Sequence, residues 1–303
     1  MKKLLSVLLA SLLLFGCTSA KPLEWNSLSI LSPKGAPAVA LVPLVQNGTD
    51  TIEFVDGADL LSAELVKGEY DVIVAPVNLG AMLYSKGNEA YKLYGVLTWG
   101  NLYIVGTEVQ PAIYPLNIAL FGDKAVPGIV YNKLKGASGD YNGTFFNAVS
   151  DVQAQLLTSQ YTLGLLAEPL VTATIAKAKE SGVNLVVVED LQQTWFEQTG
   201  FDNYPQAGLF VKADLTEEQL AQVAARFESM QSFVASADTD ASTVVEPINT
   251  IGAAVLGVPS GELVKAAWEG LNISVVSSTE AKDSVEAFLE MFNLSGLEIY
   301  SSK

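Results

Sequence analysis

The stretch Asp71-Val72-Ile73-Val74-Ala75-Pro76-Val77-Asn78-Leu79-Gly80-Ala81 decides the fold. Its apolar, β-branched first half reads as a buried strand. Pro76 lacks the donor a ladder needs and ends that strand, and the chain reopens as a helix near Asn78. The same alternation runs outward in both directions. Candidate strands lie upstream at 28–31 and 52–55, and downstream at 93–98, 102–106, 117–121, 184–188 and 208–212. A helix is expected over 59–67, closed by Gly68 in a left-handed cap. Two more open at capping-box words, Ser150-Asp151-Val152-Gln153 and Thr216-Glu217-Glu218-Gln219. Pro43 should kink or shorten the helix that begins near Pro37. Beyond Thr216 the rest of the chain reads as helical, with amphipathic segments at 260–268 and 279–292. This order predicts an α/β fold with largely parallel sheets.

The strand at 208–212, followed by a helical tail, returns the chain to the domain in which it began. Two lobes are therefore expected, 28–110 plus 205–303 and 111–204, with a ligand cleft between them. Two crossings, at 111–115 and 203–205, would form the hinge. A chain of 303 residues, half of them hydrophobic, has the core for this. With 17 Lys and Arg against 33 Asp and Glu the net charge is −16, which disfavours nucleic acid as a partner. The sequence has no His, which removes the usual serine and cysteine triads and the usual catalytic zinc site. A single Cys excludes an internal disulfide or thiolate metal cluster. No cofactor is implied.

That Cys stands in an informative place. Met1-Lys2-Lys3 and an apolar run over 4–15 precede Gly16-Cys17-Thr18-Ser19-Ala20, the layout of a secretory leader. The run is shorter than the roughly 20 residues a helix needs to span hydrocarbon. Leu14-Phe15-Gly16-Cys17 resembles the bacterial lipobox, which implies a signal peptide over 1–16 and diacylglycerol on the thiol of Cys17. Residues 17–27 would be a tether. The mature chain would then work outside the cytoplasmic membrane, anchored by lipid.

Four words could meet a ligand. Ser32-Pro33-Lys34-Gly35-Ala36-Pro37 turns a strand into a helix and offers the N–H groups of Gly35 and Ala36 beside a positive helix end; simple chain turning is the plainer reading. Asn78, after Val77, either caps its helix or faces the carboxyl end of the sheet, where open α/β folds place their sites. Thr98-Trp99-Gly100-Asn101 sets an indole, a flexible residue and an amide between two strands. Leu166-Ala167-Glu168-Pro169 presents Glu168 at a helix entrance, where the dipole alone would favour it.

In this order and spacing the words resemble the extracytoplasmic substrate-binding proteins of ABC importers, in the branch for nitrate, taurine and other sulfonates, and pyrimidine precursors of thiamine. The resemblance covers most of the mature chain. It implies a type II periplasmic binding protein whose cleft is lined by Lys34, Gly35, Ala36, Val77, Asn78, Trp99, Gly100, Asn101 and Glu168, and which partners a permease and ATPase complex. The only arginine, Arg226, lies in the amphipathic helix after Thr216, away from these words. Without that clamp, a cleft with Trp99, Glu168 and Tyr204 suits a neutral or cationic flat ring better than a sulfonate. The expectation is a non-enzymatic binding protein. The alternatives are a surface hydrolase pairing Glu168 with Glu189 or Asp190, and a membrane-tethered ligand sensor.

Overall fold

The computed structural model describes residues 26–56, 58–109 and 114–301. The expected leader, Cys17, the tether before Asn26 and residues 111–113 of the expected first crossing lie outside the described residues. The chain opens with β1 (Ser29–Pro33), α1 (Ala36–Ala40), α2 (Val42–Asn47), β2 (Thr51–Val55), α3 (Ala58–Lys67), β3 (Val72–Pro76), α4 (Val77–Ser85) and β4 (Tyr91–Trp99). It continues through β5 (Leu102–Thr107), β6 (Leu116–Phe121), α5 (Val126–Lys135), β7 (Tyr141–Phe146), α6 (Val149–Leu157), β8 (Leu163–Ala167), α7 (Leu170–Glu180), β9 (Leu185–Asp190) and α8 (Leu191–Thr199). It ends with β10 (Pro205–Lys212), α9 (Glu217–Thr239), α10 (Val245–Ile251), α11 (Ala253–Leu256), α12 (Gly261–Leu271), β11 (Ile273–Ser277) and α13 (Lys282–Glu290).

The strands form two sheets, a six-stranded one in the order β11-β4-β10-β3-β1-β2 and a five-stranded one in the order β7-β6-β8-β5-β9. Both are mixed rather than largely parallel: β10 runs antiparallel to β3 and β4, and β5 antiparallel to β8 and β9. The strand over 102–106, expected in the first lobe, is β5 of the second sheet. The chain therefore crosses at Gly100–Asn101, not at 111–115. The reason is edge occupancy: both sides of β4 are taken, by β10 and β11, so β5 cannot pair with it. β11 lies in a stretch expected to be helical. Asn272, in the left-handed region at φ 48°, caps α12 and turns the chain directly into that strand.

Local signals act much as physical chemistry predicts. Pro43 splits the first helix at Leu41 and occupies the opening turn of α2. The Thr216 capping box forms, with Thr216 N donating to Gln219 Oε1 at 3.0 Å. The Ser150 word is displaced: α6 starts at Val149, and Asp151 reaches back to accept from Ala148 N at 3.0 Å.

Strand directions define where the sheets meet. β1, β3 and β4 all end, and β10 begins, on the edge carrying Pro33, Pro76, Trp99 and Pro205. In the second sheet, Leu102 pairs with Ala167 and Tyr103 with Asp190. The start of β5 thus lies beside the ends of β8 and β9. Both crossings join these two edges, so the edges face each other.

One apolar cluster runs through the junction, holding Leu31 and Val77 from one side and Ile104 and Leu165 from the other. Its bridge is a line of rings, Trp195, Tyr204, Phe288 and Phe292, with successive centroids 5.5, 6.0 and 5.1 Å apart. A second cluster fills the other face of the first sheet, under α1, α9 and α12. At its margin Arg226 meets Asp50 through two bonds, Nη2–Oδ1 at 2.7 Å and Nε–Oδ2 at 3.1 Å. Both side chains are buried there.

Candidate functional site

The expected ligand residues all fall on the two facing edges or on the crossings, but they differ in what they leave free. At the turn after β1, Gly35 takes φ 95°, a conformation that disfavours a side chain. Its N–H already donates to Leu256 O at 2.8 Å. Lys34 pairs with Asp56 at 2.9 Å and lays its stem over Gly257, where a Cβ would come within 2.4 Å of Lys34 Cβ. Ala36 is buried. The segment between α10 and α12 thus covers the turn, and the Gly35 N–H, one of the two donors expected of the turn, is taken by a protein carbonyl. Lys34 remains recruitable, because a surface pair of this kind contributes only about 0–1 kcal/mol.

At the β3–α4 junction Val77 is fully buried and presents no side chain to the cleft. Asn78 is different. Its Oδ1 is buried with no hydrogen-bond partner, and α4 has no side-chain cap. An unmet acceptor costs about 1–3 kcal/mol, which a donor on a ligand would recover.

The crossing is locked by hydrogen bonds. Gly100 N donates to Tyr204 O at 2.8 Å, while Gly100 O accepts from Asn272 Nδ2 at 2.7 Å and Asn203 Nδ2 at 3.2 Å. A Cβ at Gly100 would lie 2.4 Å from the Tyr204 ring, so only glycine fits. Asn101 is buried and exchanges two bonds with the backbone of Glu168, at 3.1 and 3.2 Å. The Glu168 carboxylate accepts from Thr172 N at 3.0 Å and Thr172 Oγ1 at 2.7 Å, inside the first turn of α7. Burial pushes its pKa above the ordinary 4.5, and the Thr172 bonds oppose that rise.

Tyr204 is no ligand platform. It has no exposed surface, its hydroxyl donates to Gln192 Oε1 at 2.9 Å, and burial raises its pKa far above the usual phenol value. Its ring belongs to the hinge core. Trp99 is half-buried and donates Nε1–H to Ser274 O at 2.9 Å, which turns the indole toward β11. The carboxylates of the hydrolase alternative also have protein partners: Glu168 caps α7, Asp190 caps α8 through Gln192 N and Gln193 N, and Glu189 meets Tyr141 and Lys135.

Sequence reading missed the outer flank of the hinge. There a crevice of about 610 Å³ is lined by Trp99, Phe201, Asp202, Trp268 and Glu269 among others. A second, of about 640 Å³, adjoins it and is lined by residues including Tyr103, Glu168, Asp190 and Gly270. At Gly270 the two lobes touch. Tyr103 Oη of β5 donates to Gly270 O of α12 at 3.1 Å, and a Cβ at Gly270 would stand 3.2 Å from both that hydroxyl and Glu168 Cγ. Trp268 reads only as the end of the amphipathic segment 260–268, and Glu269 and Gly270 only as part of the helical tail, and nothing local marks their position against the other lobe.

Two sheets with facing edges, joined by two crossings, define the fold of the periplasmic binding proteins. Solved structures agree. An ABC transporter protein from Parabacteroides distasonis superposes with a TM-score of 0.73 at 21% identity, covering 91% of this chain and 97% of that one. The periplasmic aliphatic sulphonate binding protein SsuA of Escherichia coli gives 0.64 at 13%, covering 91% and 90%. The ligand-binding component of an ABC-type import system from Staphylococcus aureus, with zinc bound, gives 0.61 at 12%, covering 91% and 94%. No family model matches the chain, and no curated protein does. Among the described residues no single helix is long and apolar enough to cross a membrane, and no group of His, Cys, Asp and Glu is placed to hold a metal ion.

Proposed function

We propose that the protein is a solute-binding protein of an ABC importer, lipid-anchored through Cys17 outside the cell. A small organic molecule enters between the facing edges, the lobes close on it, and the closed form docks on a membrane permease. The observation that carries this reading is the pair of facing strand edges joined by only two crossings, a geometry made for rotation. No step makes or breaks a covalent bond.

The ligand we favour is a nitrogen heterocycle like the pyrimidine precursors of thiamine, ahead of a sulfonate. The single arginine is buried against Asp50 and cannot clamp an anion, and Lys34, though recruitable from Asp56, is a point charge without arginine's two-pronged geometry. Asn78 Oδ1 wants a donor, which a ring amine supplies and the sulfonate group itself lacks. Thermal unfolding with a panel of aminopyrimidines, nucleobases, taurine and nitrate tests this. A ligand at one hundred times its Kd stabilises the folded state by about 2.7 kcal/mol and raises the melting temperature accordingly. Stabilisation by taurine alone would move the assignment to sulfonates. Turnover of ester or glycoside substrates, or the same scattering profile with and without every ligand, would overturn the binding reading.

A further inference from the structure

The two crevices on the outer flank share Asp202, Asn203, Glu269 and Asn272. Sheet order fixes their position. β11 and β9 lie beyond the crossing strands β4 and β5, on the opposite side from β3, β1 and β2, where Lys34 stands after the end of β1 and Asn78 after that of β3. The first crevice is walled by Trp99 and Trp268, and both indoles are pinned by their N–H groups, to Ser274 O at 2.9 Å and to Asp238 Oδ1 at 2.8 Å. Trp268 is largely buried, with its ring packed edge-to-face on Phe233, so it forms the floor of the crevice, and half-buried Trp99 supplies the more open aromatic face. Asp202 and Glu269 stand where the crevices join, and among the described residues no hydrogen bond or ion pair engages either carboxylate. No Lys or Arg is among the lining residues of either crevice.

Aromatic faces carry negative quadrupole potential, and the carboxylates at the rim reinforce it. An anion would be repelled, and a neutral solute would gain nothing from the charges. We propose that this outer crevice is a second binding site, distinct from the Lys34 and Asn78 side of the cleft and taking Trp99 out of the role expected of it there, for a small organic cation of the quaternary ammonium kind. Its apolar body rests against Trp99 and Trp268, and its charge lies toward Asp202 and Glu269. A volume of about 610 Å³ falls within the range of small-molecule sites. The site does not depend on the identity of the cleft ligand.

The test uses the full mature chain with isotope-labelled indoles. Choline is titrated while the tryptophan N–H resonances are followed, with neohexyl alcohol, its uncharged carbon isostere, as the comparison. Choline is expected to shift the Trp99 and Trp268 signals saturably and to leave Trp195, buried in the hinge core, unmoved; the alcohol should shift none. The double substitution Asp202→Asn with Glu269→Gln should weaken choline binding about five- to tenfold. Equal responses to choline and the alcohol, a non-saturating shift, or unchanged affinity in the double variant would each overturn the proposal. Should that variant fail to fold, the comparison of choline with the alcohol on the parent chain still decides it.

Discussion

Replacing Tyr103 with Phe should loosen the two lobes without disturbing either. The Tyr103 hydroxyl is the donor of a single bond between β5 of one lobe and Gly270 O of α12 in the other, 3.1 Å long. Burial drives the pKa of this phenol upward, so it stays a neutral donor throughout the physiological range. Tyr103→Phe keeps the ring packed against Val105 and Leu166 in its own cluster and removes only the oxygen. Gly270 O keeps a longer contact with Asn272 Nδ2 at 3.5 Å, so the acceptor is not orphaned. A hydrogen bond of this kind contributes about 0.5–1.5 kcal/mol, which alters the ratio of lobe arrangements by roughly two- to twelvefold. Fluorophores at exposed Lys86 in the first lobe and Lys133 in the second would report the interlobe distance. The variant should show a second distance population or a broadened one, with a change in apparent solute affinity set by the fraction left competent. An unchanged distance distribution alongside lowered stability would refute the reasoning, because the bond would then serve folding and not the coupling of the lobes.

The same structure fixes further outcomes. Tyr204→Phe should cost about 1 kcal/mol in urea unfolding through loss of the Gln192 bond, and Tyr204→Ala about 3–5 kcal/mol through the cavity left in the hinge core. Arg226→Ala should destabilise by about 3–5 kcal/mol because Asp50 stays buried and unpaired, yet thermal-shift responses to the solute should persist. Glu168 holds its proton more tightly folded than unfolded. Its protonated form therefore adds stability that is complete below pH 4.5 and is lost as pH rises through the raised folded value. Glu168→Gln lacks that loss, so its melting temperature should gain on the parent's between pH 4.5 and neutrality, and a constant gap would contradict this. If Cys17 carries diacylglycerol, Cys17→Ala should move the protein from the membrane fraction to the soluble one, or leave the leader uncut on an immunoblot.

Much of the architecture was legible because strands such as Val72–Pro76 are short, β-branched and bounded by breakers. What could not be read was pairing. The runs at 93–98 and 102–106 are separated by three residues, a spacing that fits a hairpin as well as a crossing; only β10 and β11, far along the chain, settle which it is. β11 escaped notice because one left-handed Asn is its sole boundary from α12. At the site, residue types were a sound guide to position but a poor one to orientation. Trp99 and Tyr204 do sit at the crossing, yet Ser274 and Gln192 decide where their polar ends point, and neither partner is near in sequence. Asn78 was weighed as a cap, and its acceptor is instead left unmet.

The line of rings from Trp195 to Phe292 makes the pivot itself part of the oily interior. An ordinary flexible linker would let each half melt by itself. Here, parting them would strip aromatic surface bare to water, so swinging is cheap while separation is not. The molecule behaves as two jaws on one greased axle, and calorimetry should register their loss as a single cooperative event.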